Sequence, residues 1–475
     1  MSEGCIKTKE LMKKFFNGHL YPVLVGAIVL VSHIFGAEFY LNFLNVFLCV
    51  ISFLICDSTK PFIPVLCTYV YQFSRLTNIS DPSKSDFYYT GARLYTIIAL
   101  FVIAILAAVV FFVKHGKRTL DSLKHLPMLP AAILLSVAFL ANGAFSDGWS
   151  FFTFGYGAVQ IATFFVIFYF FVIGLRDESG EELCGYFAFV TAVMASVLII
   201  ETANLYLFGE GLIVDGSVIK EKVDYGWGMW NTAGQQMVMT LPMLFYGAMK
   251  NKHPLAYLVI AVLTVASAAL TMSRNALILS VLFFGALAIL ACFFGNLKKQ
   301  FRIILPVGVV GALGVIVLLW DKISRVLADY LERGLSDNGR FDLWRSGFES
   351  FLKAPVFGRG FFGAYPPELQ DGGIFPAMAH NTIVELLCAM GIFGLVAYLV
   401  YRAATLKPFV IRPTLAKSML GVAMLTVILG SVLDNFIFYY HQMLYYPVAQ
   451  AIAYKLYSEQ EGFVEPNLLP RLLRK

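Results

Sequence analysis

Apolar runs of roughly 17 to 25 residues, separated by short polar joints, recur along most of this chain. A helix of that length crosses a hydrocarbon core about 30 Å thick. Composition points the same way. Of 475 residues, 59% are hydrophobic and only 14% charged, and the mean hydropathy of +0.74 is too high and too evenly spread for a water-soluble globule. The chain therefore reads as an all-α polytopic membrane protein. A net charge of +6 would suit nucleic acid only if it formed one patch, and the Lys and Arg lie instead in short clusters between the runs.

The runs fall near 20–35, 40–56, 94–113, 126–144, 157–175, 183–207, 233–249, 254–272, 276–294, 303–320, 381–401, 419–435 and 440–454, with a shorter one at 61–73. If that short run spans, the total is 14; the count lies between 12 and 14. Fourteen spans put Lys60, Lys114, Lys117, Arg118, Lys124, Arg176, Lys250, Lys252, Lys298, Lys299, Arg302, Arg402, Lys407, Arg412 and Lys417 in inner loops, and only Arg75, Lys84, Arg93, Lys220, Lys222 and Arg274 in short outer ones. Both termini are then inside, and the first run, with no small-residue cleavage site behind it, is an uncleaved span. The expected division is an inner segment 1–19, a helical bundle 20–320, a large outer loop 321–379, C-terminal spans 380–455 and an inner tail 456–475. The seven cysteines avoid the outer loops, so no disulfide framework is expected. There is no CxxC, HExxH or other metal-ligand spacing, and neither a metal site nor a cofactor is assigned.

The outer loop has its own pattern. Apolar residues at Ile323, Val326, Leu327, Tyr330 and Leu331, and again at Phe341, Trp344, Phe348, Phe351 and Leu352, predict two short amphipathic helices along the membrane surface. Gly358, Gly360, Gly363, Pro366, Pro367, Gly372, Gly373 and Pro376 predict an irregular stretch after them. That stretch runs through Ala379, His380 and Asn381 into the next span.

His380 stands where a water-side segment enters the bilayer, as either a helix-ordering residue or a base, since its ordinary pKa of about 6.5 lets it accept a proton near neutrality. Arg274, in a junction of about three residues between spans, either snorkels to headgroups or serves a site. Arg340 and Arg345 either pair locally with Asp337 and Asp342 or serve that site too. Thr382 and Glu385 have capping-box spacing, which predicts a cap with orientation of His380 as a second role for Glu385. Asn381 is a second candidate cap. Glu201 is expected to pack between helices; Gln235, Gln236, Asp434, Asn435 and His441 either do the same or line a cavity.

Taken in order, Trp230-Asn231, Ser273-Arg274-Asn275, Gly339-Arg340 with Trp344, Ala354-Pro355-Val356-Phe357-Gly358-Arg359-Gly360, His380-Asn381 and Gly391-Ile392-Phe393-Gly394-Leu395 resemble the O-antigen ligase and O-antigen polymerase superfamily. The likeness covers roughly residues 226 to 440. It implies a metal-independent, inverting glycosyltransferase of the bacterial plasma membrane that works at the outer leaflet. The donor would be a glycan on polyprenyl (undecaprenyl) diphosphate and the acceptor a sugar hydroxyl on a glycan or glycolipid, in the assembly of lipopolysaccharide or capsule. Membrane lipids and a chain-length regulator are further partners the resemblance allows; nucleic acid is not one. His380 would be the catalytic base, Arg274, Arg340 and Arg345 would bind the diphosphate, and Asn381, Glu385, Ser273 and Trp344 would support them. Arg345 has no counterpart in the family pattern, and Arg359 reads as a turn residue in a flexible segment. Ligase and repeat-unit polymerase share these motifs; the ligase is favoured on the arrangement of Arg274, Arg340 and His380. A lipid-linked oligosaccharide flippase is the alternative from another class, but the chain lacks the internal repeat such a transporter would show.

Overall fold

The computed structural model describes residues 3–72, 91–214, 217–228, 230–295, 298–304, 306–307, 324, 340–365, 378–439 and 443–460. Its helices are α1 Glu3–Phe16, α2 Leu20–Ile34, α3 Glu38–Ile55, α4 Phe62–Cys67, α5 Tyr69–Gln72, α6 Gly91–Lys114, α7 Gly116–Lys124, α8 Leu129–Leu140 and α9 Phe151–Gly174. They continue with α10 Gly180–Phe208, α11 Trp230–Lys250, α12 Pro254–Leu270, α13 Arg274–Ala291, α14 Arg340–Lys353, α15 Thr382–Val410, α16 Leu415–Leu433 and α17 Tyr445–Ser458. A two-residue antiparallel hairpin, Ile213–Val214 against Ser217–Val218, sits between α10 and α11.

Among the described residues, α9, α10, α13, α15 and α16 are long and apolar enough to cross a membrane. The number rises to seven if the bent pairs α1 with α2 (63°) and α6 with α7 (88°) each count as one span. Segments of α3, α8 and α12 are apolar but shorter. The chain is thus an all-α membrane protein, and among the described residues the span-length helices number fewer than the fourteen expected of the whole chain. The run at 61–73 forms two short buried helices, α4 and α5, neither long enough to span. Nearly all of the expected 303–320 span, the 323–335 helix apart from Ser324, the 366–377 stretch, Arg75, Lys84, His441 and the tail beyond 460 lie outside the described residues.

The core is organised around α11. It is buried from Ala233 to Met249, so its few polar side chains must find partners inside the bundle. Helices α10, α12, α13 and α16 surround it. The polar groups at this depth join helices. Gln235 Nε2 donates to the Thr426 carbonyl at 2.9 Å, and Gln236 Oε1 accepts from the Tyr71 hydroxyl at 3.0 Å. Glu201 packs between helices as expected, joining His33 of α2 to the Trp227 indole, which donates to it at 2.9 Å.

Arg402, Lys407 and Lys417, expected in inner loops, lie within helices. Arg402 is inside α15, which runs on to Val410, with its guanidinium 4.6 Å from the Tyr398 ring centre and 4.9 Å from that of Tyr446, whose hydroxyl it also bonds. Aromatic faces stabilise the cation within the bundle, so the charge does not end the helix. Lys417 lies in the first turn of α16, fully buried, and donates to the Ile411 carbonyl that closes α15 and to Gln460. A cation at a helix C-terminus meets the negative end of the macrodipole.

Candidate active site

Helix α15 starts at an Asn381 N-cap, whose side chain accepts from the amides of Ile383 (3.0 Å) and Val384 (3.2 Å). Asn381 is therefore the cap. The capping box read from Thr382 and Glu385 is not formed: the Thr382 hydroxyl donates to the Ser431 carbonyl of α16 at 2.7 Å. Glu385 instead accepts from the Ala379 amide at 2.8 Å, beyond the cap, and from Asn435 Nδ2 at 3.3 Å. The tertiary partners outcompete the local ones because both helix ends close on one another here.

His380, one residue before the cap, has φ +50°, a left-handed conformation that costs a non-glycine residue of order 1–3 kcal/mol and persists only when its surroundings over-determine it. Three contacts do so. The Trp344 indole of α14 donates to the Ala379 carbonyl at 2.8 Å, Glu385 holds the Ala379 amide, and His380 Nδ1 stands 2.6 Å from Asp434 Oδ1.

Asp434 ends α16 in extended backbone. Its second oxygen accepts from Asn231 Nδ2 at 3.0 Å, and Asn231 Oδ1 accepts from the Ser273 hydroxyl at 2.9 Å. Ser273 caps α13, whose first residue is Arg274. One chain of hydrogen bonds therefore joins His380, Asp434, Asn231 and Ser273, at the end of the bundle where α11, α13 and α15 begin and α16 finishes. Beyond Asp434 the chain turns through Phe436–Phe438, and the Phe438 carbonyl accepts from Tyr156 and Gln160 of α9, each at 2.7 Å. The aspartate is pinned from both sides.

The Asp434 side chain is 7% exposed and that of His380 is 38% exposed. A buried carboxylate thus holds a partly open imidazole. Burial is the largest influence on His380 and lowers its pKa, but the hydrogen bond it makes to Asp434 and the charge of that carboxylate together outweigh it, so the net shift is upward. The charge of Arg340 pulls the other way, which brings Arg340 electrostatically onto the site; it is half-buried at the first position of α14. Arg274 is half-buried where the hydrogen-bond chain ends, whereas Arg345 is exposed on α14. Ser273, Asn381, Glu385 and Trp344 all lie in the scaffold that carries His380. Among the described residues no three His, Cys, Asp or Glu converge as metal ligands.

The stretch after α14 departs from expectation. Helix α15 breaks at Gly391 (φ +65°), and residues 355–360 fill the break with main-chain bonds. Arg359 N and Gly360 N donate to the Cys388 and Ala389 carbonyls at 2.8 and 2.9 Å, and the amides of Ile392 and Phe393 donate to the Pro355 and Val356 carbonyls at 2.9 and 3.1 Å. Irregular backbone at membrane depth is tolerated only where protein satisfies it, and this segment does so. A Cβ at Gly391 would come within 2.4 Å of the Val356 oxygen, and one at Gly358 within 2.4 Å of the Ala389 carbonyl carbon. The glycines are there because two backbones touch. Arg359 is likewise held, with Nε and Nη2 donating to the two oxygens of Asp147 at 3.0 and 2.7 Å.

Asp434 and Asn231 are the contributors that sequence reasoning left unassigned. A carboxylate at the end of an apolar run, 54 residues from the histidine, has no local signal that names its partner.

Residues 259–399 match the family model described as O-antigen ligase. The matched stretch includes Ser273, Arg274, Arg340, Trp344, His380, Asn381 and Glu385, and ends before Asp434. No curated protein matches the chain.

Proposed function

We propose that this chain, residues 259–399 of which match the family model described as O-antigen ligase, is an inverting glycosyltransferase that moves a glycan from polyprenyl diphosphate to an acceptor sugar hydroxyl. The observation that carries the reading is the His380–Asp434 pair, a buried carboxylate 2.6 Å from a partly exposed imidazole held in a strained backbone. With Nδ1 protonated and donating to Asp434, the lone pair on Nε2 is free to act as a base. A carboxylate in that position fixes the tautomer and stabilises the imidazolium that forms.

The acceptor hydroxyl gives its proton to Nε2 while its oxygen bonds to the anomeric carbon. The bond from that carbon to the diphosphate oxygen breaks, and its electron pair leaves with polyprenyl diphosphate. One in-line displacement inverts the anomeric centre. General-base assistance of this kind contributes about 10² to 10⁴ in rate. The leaving group needs charge neutralisation rather than a proton, and Arg274 and Arg340, with Arg345 as an assistant, supply planar guanidinium donors suited to phosphate. The same reading puts the site at the outer leaflet of a bacterial plasma membrane and requires no metal. Ligase is preferred over repeat-unit polymerase.

The test is a transfer assay in liposomes with a polyprenyl-diphosphate glycan and a glycolipid acceptor, with and without chelator. Release of polyprenyl diphosphate with the glycan on the acceptor, insensitive to chelator and lost in His380→Ala, supports the reading. One addition per acceptor marks a ligase and a growing ladder a polymerase. An intact donor that only changes leaflet, equally in His380→Ala, would replace the enzyme with a transporter.

A further inference from the structure

We infer that Glu385 is a positioning residue that sets the spacing of the His380–Asp434 pair by holding both ends of it through a single carboxylate oxygen. Its Oε2 accepts from the Ala379 amide, one residue before the histidine, and from Asn435 Nδ2, one residue after the aspartate. The side chain is fully buried, with the Tyr365 phenol also bearing on the carboxylate. It projects from the first turn of α15, so the strap is anchored to a helix rather than to a loop.

The geometry explains a carboxylate at a depth where a charge is costly. His380 and Asp434 sit on two separate chain ends, the lead into α15 and the exit from α16, and neither is held to the other by a helix or strand ladder. Without Glu385 only the Thr382–Ser431 bond and the His380–Asp434 bond itself, among the contacts named above, would hold the two ends together. With it, the bond is formed between groups already in register, and a misplacement of about 1 Å in such a pair costs roughly 10²-fold in rate.

This inference rests on His380 acting as the base, and the test separates the two. In the liposome assay, Glu385→Ala is expected to lower kcat roughly 10²-fold with little change in KM for the lipid donor, the signature of an interaction that matters in the transition state. Glu385→Gln is the decisive variant. Both bonds go to one oxygen, which the Gln carbonyl can replace, so Gln is expected to restore most of the activity, whereas Glu385→Asp, one methylene short, is not. Asn435→Ala cuts the strap at its other end, leaves the carboxylate in place, and is expected to reproduce the kcat loss. Wild-type kcat in Glu385→Ala, or Gln as inactive as Ala while His380→Ala is also inactive, overturns the positioning role and leaves the base assignment standing. Activity surviving in His380→Ala removes the base assignment instead. A Glu385→Ala protein that fails to fold leaves the Gln, Asp and Asn435 comparisons to decide.

Discussion

Asp434 Oδ1 stands 2.6 Å from His380 Nδ1, although the two residues lie on different helix ends and 54 positions apart. The pair sets a pH dependence. A base must be unprotonated to act, so with His380 in its proposed role transfer is expected to rise with pH through its pKa, and the net upward shift puts that midpoint above the ordinary value of about 6.5. Asp434→Asn removes the charge, and with it the charge-assisted bond, that raise the pKa and leaves burial, which lowers it. The acid limb of the kcat/KM profile is therefore expected to move to lower pH, while the plateau falls by about 10² to 10⁴ because the tautomer is no longer held. A limb that stays in place would show that His380 is not the group titrating.

The Trp344 indole reaches across from α14 to the Ala379 carbonyl. Trp344→Phe keeps most of the ring contact with Phe341, at 5.2 Å between centres, and deletes the hydrogen bond. The expected stability loss is about 1 kcal/mol, the usual net worth of such a bond. The activity loss is expected to exceed what thermal unfolding in detergent accounts for, since the freed carbonyl lies one residue from His380. Equal losses in both measurements would mean Trp344 contributes only to packing.

At Gly391 the chain crosses itself. Gly391→Ala adds a Cβ 2.4 Å from the Val356 oxygen at φ +65°, and neither the backbone of residues 355–360 nor that of α15 can yield without giving up main-chain bonds. A loss of about 1–3 kcal/mol from the backbone conformation is expected before the clash is counted. Gly155→Ala in α9, where nothing lies within 4 Å of the added carbon, is the control, expected to be neutral or stabilising by up to about 1 kcal/mol. Melting temperatures of the two variants in one detergent make the comparison.

What could be read from the sequence follows the range of each interaction. Hydrophobic length is a local property, so α9, α10, α13, α15 and α16 were visible as runs, and the His380-Asn381 step was visible because a helix start has local signs. The Glu385 partners are two tertiary groups, Ala379 N and Asn435 Nδ2, and the local spacing to Thr382 pointed to a cap instead. Arg402 looked like the end of a span because charge usually marks one; the rings of Tyr398 and Tyr446 that accommodate it come partly from a different helix. The break in α15 was invisible for the same reason. Gly391 sits in a continuously apolar stretch, and only the approach of residues 355–360 reveals why the helix opens there.

Arg340 provides the counterpart to the aspartate. Its charge lowers the pKa of His380, so Arg340→Ala is expected to move the acid limb of the profile to higher pH, opposite in direction to Asp434→Asn. If Arg340 binds the donor diphosphate as proposed, the same variant is expected to raise KM for the lipid donor as well. Arg340→Lys keeps the charge but not the planar fork, so the limb should return toward its wild-type position while KM stays high. Arg345, exposed on the same helix, is expected to give a smaller KM effect and no displacement of the limb. Shifts of the same sign in Asp434→Asn and Arg340→Ala would contradict the assignment, because the two residues carry opposite charge and their loss moves the pKa of one neighbouring group in opposite directions.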